Sequence, residues 1–432
     1  MQDKLLNAKD ELIEKIDIQP VELIRTFYPF TLIRRIYLTI SIFARNSLIN
    51  HAASGAFYFL LSIVPLALFF VFVLDIWLSG YGKVSDYFFQ LLSNINPAIN
   101  RQFFESMGLL KGSSSFYGFV GALGLLWSSR LVFTSIRNGF DIVFISSKKR
   151  GILKNNLVSL IFLPITFVAA LSFFIISAVT KQLDKLINEF GLNDLIDLSF
   201  LNSLTSYYPV ILALFISFIL YKFIPKVKIK GTYALSGAIL FIVSIYLTQK
   251  LLGVFINASK YNLIYGVISA LIIALIWMYV LFILFYFYAT FIYVISHYAE
   301  LEIVKYYNTY HYKPFFLDRL MFTTALSSMK KYELKLNKGD KLFSYNQQGG
   351  YIYMLLSGIV FLERDGKFIA DIPTNSFFGE SGVIGDMVYS TDAVCQVPGY
   401  ALKIPKEMYE KIVSVSPDIS KELLNNIIER GI

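Results

Sequence analysis

The 432-residue chain is poor in the residues that build soluble catalytic and redox centres: it has one cysteine, Cys395, three histidines, and only 16% charged residues. A single cysteine excludes an intramolecular disulfide, and so few Cys and His give no cluster at metal-ligand spacing, so no bound metal is expected. No basic, nucleic-acid-like surface is required either. The net charge is +9, but residues 332–432 hold ten Lys/Arg against thirteen Asp/Glu, so the whole basic excess lies in the part before them. The first 55 residues lack an apolar core followed by a small-residue cleavage site, so a removable signal peptide is not expected.

What the chain has in abundance is apolar length. It is 56% hydrophobic and 17% aromatic, far from the averages of soluble domains. Six stretches reach the roughly 20 residues needed to cross a bilayer: Phe57 to Leu78, Phe116 to Phe144, Leu157 to Val179, Tyr207 to Ile224, Tyr233 to Ile256 and Leu263 to Ser296. The flanking charges predict their orientation, because Lys and Arg near span ends stay on the cytoplasmic side. The N-terminal region, the loop with Lys148, Lys149, Arg150 and Lys154, and the loop with Lys222, Lys226, Lys228 and Lys230 are basic. The loop with Asp184, Glu189, Asp194 and Asp197 is acidic. Both termini are therefore expected in the cytoplasm, in an inner-membrane, multi-pass protein whose basic excess faces anionic lipid headgroups. Thr31 to Leu48 mixes apolar residues with Arg34, Arg35 and Arg45 and reads either as an amphipathic interfacial helix or as an extension of the first span.

Ionisable groups at membrane depth are costly and need an explanation. Arg130 and Arg137 are seven residues apart, on one helical face, and Asp141 follows one turn later. This stripe either lines a polar cavity that accepts an anionic group or forms an internal ion pair, for example with Asp75, that fixes the bundle. Lys250, near the outer end of its span, reads as an interfacial anchor.

After His297 the pattern changes. A connector at 301–331, with a helix expected over Asp318 to Lys331, leads to glycine-punctuated short strands from Tyr332 onward, about eight in number, and helical patterning resumes at Lys406 to Val413 and Ile419 to Glu429. This predicts a compact β-roll. The division is therefore 1–56 N-terminal region, 57–300 membrane domain, 301–331 connector and 332–432 cytoplasmic roll.

Two resemblances add to this reading. The run from His51 to Pro65, the segment Leu220 to Pro225 with Gly237-Ala238, and Tyr261 to Val267 followed by Trp277 resemble the signature segments of YihY/BrkB membrane proteins over residues 30–300. That resemblance implies six helices in the inner membrane. The family carries the historical labels ribonuclease BN and serum-resistance virulence factor. A nuclease would need metal-binding carboxylates or a His-based acid/base pair, and His51, His297 and His311 form neither, so no enzyme is expected. Transport of a lipid or other envelope component suits the charged stripe better, with a non-transporting envelope scaffold as the alternative. The family's Gly-Ala-Glu near the end of its last span is replaced here by Tyr288-Ala289-Thr290.

Lys338-Gly339-Asp340, the strand from Tyr353 to Gly358, and Phe378-Gly379-Glu380-Ser381 resemble cyclic-nucleotide-binding domains. There the Gly379, Glu380 and Ser381 segment corresponds to the phosphate-binding cassette, and an arginine about eleven residues later pairs with the phosphate. Here Ser390 or Thr391 stands ahead of Ala393 where that arginine belongs, and no Lys or Arg occurs between Lys367 and Lys403. Hydroxyls donate hydrogen bonds but cannot neutralise a phosphate. Two readings stay open: a ligand-free roll used for docking or dimerisation, and a roll that binds a cyclic nucleotide weakly or takes a less phosphate-dependent ligand or a protein partner. No other cofactor is expected, and a homo-oligomer is compatible with either reading.

Overall fold

A computed structural model describes residues 30–78, 102, 114–144, 172, 176, 180, 199–255, 267–311, 316–322, 327–384, 388–416, 419 and 421. The chain divides into two compact units, residues 37–296 and residues 1–36 with 297–432.

The first unit is helical, and its first helix begins in residues 30–36 of the other unit. Helix α1 (Phe30–Arg45) leads into α2 (Leu48–Leu78), followed by α3 (Ser114–Val143), α4 (Ser199–Phe223), α5 (Gly231–Phe255) and α6 (Val267–Ser296). Among the described residues four stretches are long and apolar enough to cross a membrane: Phe119–Val143, Ser206–Phe223, Gly231–Leu251 and Ile272–Ser296. They match the second, fourth, fifth and sixth spans expected from hydropathy. The first expected span falls in α2, and the third, Leu157 to Val179, lies outside the described residues except at Ser172 and Ile176.

In an apolar medium helices gain nothing from burying hydrophobic surface against one another, so close approach and internal hydrogen bonds hold them together. Both devices are present. A Cβ at Gly55 would lie 2.6 Å from the Phe282 ring, and a Cβ at Gly139 or Gly237 would collide with Tyr286 or Ile292. Buried Tyr221 donates its hydroxyl to the Phe285 carbonyl at 3.0 Å, and Tyr286 donates to the Ser135 carbonyl at 3.0 Å. The Tyr221 ring stacks on Phe285 at 5.0 Å, and Phe140 sits beside both. Pro65 and Pro209 lie inside α2 and α4 without ending them.

The second unit contains α7 (Tyr298–His311), α8 (Phe316–Phe322), a 3₁₀ turn (Ser327–Tyr332), strands β1 (Glu333–Leu336), β2 (Lys341–Phe343), β3 (Tyr351–Arg364), β4 (Lys367–Ile372), β5 (Phe377–Phe378) and β6 (Asp392–Pro405), and α9 (Lys406–Val415). Among the described residues the six strands form one antiparallel sheet in the order β1-β6-β3-β4, with β2 also on β6 and β5 also on β3. The expectation of about eight short strands is corrected here. Ser357-Gly358 is not a turn: β3 runs straight through it as a 14-residue strand, kinked where its register on β6 slips. Gly358 has φ 92, and a Cβ there would lie 2.6 Å from the Val397 carbonyl, so the glycine admits a close approach of β6. Of the helix expected over Asp318 to Lys331, α8 covers the part up to Phe322 and the 3₁₀ turn the part from Ser327, while 323–326 lie outside the described residues.

Side chains alternate across β3, as the two-residue period of a strand demands. Tyr353 and Leu355 point into the roll with Phe343, Phe378, Tyr389 and Cys395, while Ile352 and Met354 point to the other face. That second face is covered by Ile303, Val304, Tyr306 and Tyr307 of α7 and by Met408, Tyr409 and Ile412 of α9. Helix α7 is clamped at the far end as well, where the Tyr306 hydroxyl donates to Asn375 Oδ1 at 2.6 Å.

Candidate functional site

Strand β5 ends at Phe378, which pairs with Tyr353, and the chain turns at Gly379 with φ 76 and ψ 26. Only glycine adopts that left-handed conformation freely, and a Cβ would lie 3.0 Å from the Phe343 ring. The turn delivers Glu380, Ser381 and Gly382 as a 3₁₀ segment, in which Gly382 N–H donates to Gly379 O at 3.1 Å and Val383 N–H to Glu380 O at 3.0 Å. Gly350 N–H holds the segment from below through Gly382 O at 2.7 Å. Glu380 is 4% exposed.

The second arm of the site comes from the segment leading into β6. Ser390 donates to Ser381 Oγ from its backbone N–H and from its hydroxyl, both at 3.1 Å. The structure thus brings the Gly379, Glu380 and Ser381 segment together with Ser390. Thr391 is 3% exposed, and Ala393 is fully buried opposite Phe343 and Leu362.

Sequence reasoning missed two features here. Tyr389 stacks on Phe343 at 4.0 Å, abuts Gly382 and donates its hydroxyl to the Tyr351 carbonyl at 2.9 Å, and burial pushes its pKa up. Asp392 accepts from Tyr345 N–H at 2.7 Å and from Lys341 Nζ at 2.9 Å, which hold its carboxyl below the usual carboxylate range. Lys341 is therefore already paired. No local signal marked either residue, because both roles depend on the β2–β6 register. Chemically, the site offers a buried carboxylate and hydroxyls. These suit a polyhydroxylated, donor-rich group better than a bare phosphate.

The intramembrane stripe separates into three situations. Arg130 is exposed, on the same helical face as exposed Phe119, Leu123 and Trp127. The Nε of Arg137 is buried and finds no hydrogen-bond partner among the described residues. Asp141 pairs with Lys226 at 2.8 Å, from the basic loop after α4, and not with either arginine. The suggested partner Asp75 has a side chain outside the described residues. Lys250 places its ammonium 4.8 Å from the Tyr246 ring centre. Among the described residues no three His, Cys, Asp or Glu side chains come together as a metal site.

The family model described as virulence factor BrkB matches residues 39–306, more than half of the chain. The chain belongs to the BrkB family. A second model, the cyclic nucleotide-binding domain, matches residues 333–415. A curated relative, the UPF0761 membrane protein of Cronobacter sakazakii, is 26% identical over 233 residues, covering 53% of this chain and 76% of the relative. Among solved structures, cAMP-bound PfPKA-R is similar at 15% identity over 23% of this chain and 35% of that one, with a TM-score of 0.22. A cyclic nucleotide-binding-like protein from Brucella abortus is similar at 25% identity over 19% of this chain and 73% of that one, with a TM-score of 0.17.

This BrkB-family chain is thus a membrane protein with a C-terminal cyclic nucleotide-binding domain. Several of the residues that carried the family likeness serve packing: Tyr221 and Ala238 are fully buried, and Gly55 and Gly237 admit Phe282 and Ile292. Where the resemblance leads one to expect an acid, buried Thr290 donates its hydroxyl back to Tyr286 O at 2.9 Å.

Proposed function

We propose that this BrkB-family protein moves an anionic lipid or a similarly charged envelope amphiphile across the inner membrane without catalysing a covalent reaction, and that its C-terminal domain modulates that movement from the cytoplasm. The observation that carries the reading is the Arg130 and Arg137 face of α3. Arg130 is exposed on the same helical face as exposed Phe119, Leu123 and Trp127, and Arg137 has a buried Nε with no partner among the described residues. A headgroup carrying negative charge satisfies the arginines while its acyl chains cover the apolar neighbours. Six spans with both termini in the cytoplasm agree with the loop charges.

The test uses the purified full chain in vesicles containing fluorescent phosphatidylglycerol or phosphatidylcholine, with movement between leaflets read by quenching. Wild type is expected to favour the anionic lipid, and Arg137→Met to lower its rate about tenfold, the value of one charge-assisted contact, with an unchanged melting temperature. An Arg130→Met/Arg137→Met chain that moves lipid at the wild-type rate overturns the reading. Absence of movement by wild type favours the scaffold alternative, for which the uncharged Ser390 and Thr391 positions speak. For the modulating ligand, the hydroxyl-rich, cation-poor site supports a sugar-like or nucleoside-like group held by Glu380 and Ser381. Calorimetry of the full chain with adenosine, cAMP, cGMP and cyclic dinucleotides tests it. An isotherm that strengthens with phosphate charge counts against this assignment.

A further inference from the structure

Helix α1 (Phe30–Arg45) is apolar on two faces, one packed inward and one left exposed. Leu32, Ile36 and Ile40, four residues apart, are 58%, 41% and 53% exposed, while Arg34, Leu38 and Ile42, offset by two, are 7%, 1% and 6% exposed. The outward apolar row suits a helix lying against acyl chains, while the inward row, apolar at Leu38 and Ile42, carries one buried guanidinium. On its inner side Arg34 Nη1 donates to Glu302 Oε1 at 3.2 Å, the two side chains being 8% and 0% exposed. The same oxygen accepts from the Tyr298 hydroxyl at 3.3 Å. The other, Oε2, accepts from Ser328 N–H at 3.1 Å and from the Ser328 hydroxyl. The Arg34 guanidinium also lies 5.9 Å from the Phe322 ring centre, and Arg35 lies 4.9 Å from that of Tyr298.

Glu302 is thereby the tie point of three segments. These are α1, which runs on into α2; α7, which follows α6 after a break at His297; and the Ser327–Tyr332 turn, which hands the chain to β1 of the roll. Stability alone does not account for a charge pair at this place. Removing two charges from water costs about what their attraction returns, and apolar residues of equal volume generally serve as well, whereas a buried pair that has lost one partner is strongly unfavourable. Such a pair has a made and a broken state with little between them, as a two-state element requires. The broken state has a natural alternative partner, since an arginine released from α1 at the interface can reach anionic headgroups.

We infer that the Arg34–Glu302 pair is a latch that couples the C-terminal roll to the interfacial helix α1. A shift of the Ser327–Tyr332 turn, driven by whatever occupies the roll, withdraws Ser328 from Oε2, frees the Glu302 carboxylate to turn, and releases Arg34. This holds whether or not the chain moves lipid.

Hydrogen exchange on the full chain in phosphatidylglycerol-containing nanodiscs tests it. Ser328→Ala removes one Glu302 bond from the roll side only, and it should raise exchange about tenfold in α1, residues 31–45, while strands β3 and β6 keep wild-type protection. Glu302→Gln should do the same more strongly, and the exchange pair Arg34→Glu/Glu302→Arg should return α1 to within about threefold of wild type. Change confined to residues 298–332 in Ser328→Ala overturns the latch, as does a uniform loss of protection that includes β3 and β6. If Glu302→Gln does not assemble, the Ser328→Ala result decides alone.

Discussion

Gly379 shows how little the local sequence needs in order to fix the cassette. A left-handed φ of 76 is open to glycine and strained for other residues, and Phe343 stands where a Cβ would point. Gly379→Ala should therefore cost the roll about 1–2 kcal/mol of backbone strain, visible as a lowered urea midpoint of the full chain followed by the C-terminal strands. The glycine was readable from the Phe-Gly-Glu-Ser order. The aromatic Tyr389 behind it and the Lys341–Asp392 pair beside it were not, because their partners sit on other strands. The missing arginine makes a sharper prediction. Thr391→Arg, with Asp392 already held by Lys341 and Tyr345, should raise affinity for cAMP by about tenfold or more, the worth of a charge-assisted bond, in a titration calorimetry comparison with wild type. Asp392 itself predicts a pH effect. Its folded pKa lies below its unfolded one, so it stabilises the roll above the ordinary carboxyl range near about pH 4 and loses that contribution as pH falls through the folded value. Asp392→Asn should narrow the stability difference between neutral and acidic pH, with the two chains converging at the acid end.

At the scale of elements, four of the expected spans are long apolar helices among the described residues, because a twenty-residue apolar run has few other fates. It could not say which faces meet. The stripe Arg130, Arg137, Asp141 is one helical face in projection, yet Asp141 turns to Lys226 while Arg137 Nε stays unpartnered among the described residues. The strand count failed for a different reason. Gly358 was read as punctuation when its function is close approach, and glycine signals both equally. The same ambiguity applies to the helical unit and can be tested there. Gly139→Val pushes a branched side chain into the Tyr286 ring, so it should destabilise the α3–α6 contact by about 1–3 kcal/mol. Gly231→Ala, whose Cβ would meet nothing closer than Lys222 Nζ at 3.5 Å, should shift stability by less than about 0.5 kcal/mol. Reversible denaturation in bicelles distinguishes the two.

For the molecule as a whole, the change of composition after His297 announced a second folding unit, but it did not show how much of the connector belongs to the roll's core. Charged, aromatic-rich sequence such as Tyr298 to His311 reads as solvated linker until its partner face is known. In the structure Ile303 is fully buried and Val304, Tyr306 and Tyr307 are at most 9% exposed, and they cover the Ile352 and Met354 face of the sheet. Each such side chain contributes about 1.5–3 kcal/mol by leaving water, and a small domain's net stability is only about 5–15 kcal/mol. Four of them together amount to most of what a roll of this size has to spare. A fragment beginning at Ser327 should therefore be unfolded or aggregated, whereas one beginning at His297 should melt cooperatively. Circular dichroism and size-exclusion chromatography of the two fragments check this. A well-folded Ser327 fragment would mean that α7 adds little to the roll, and the path from the roll to Glu302 would then run through the Ser328 contacts alone.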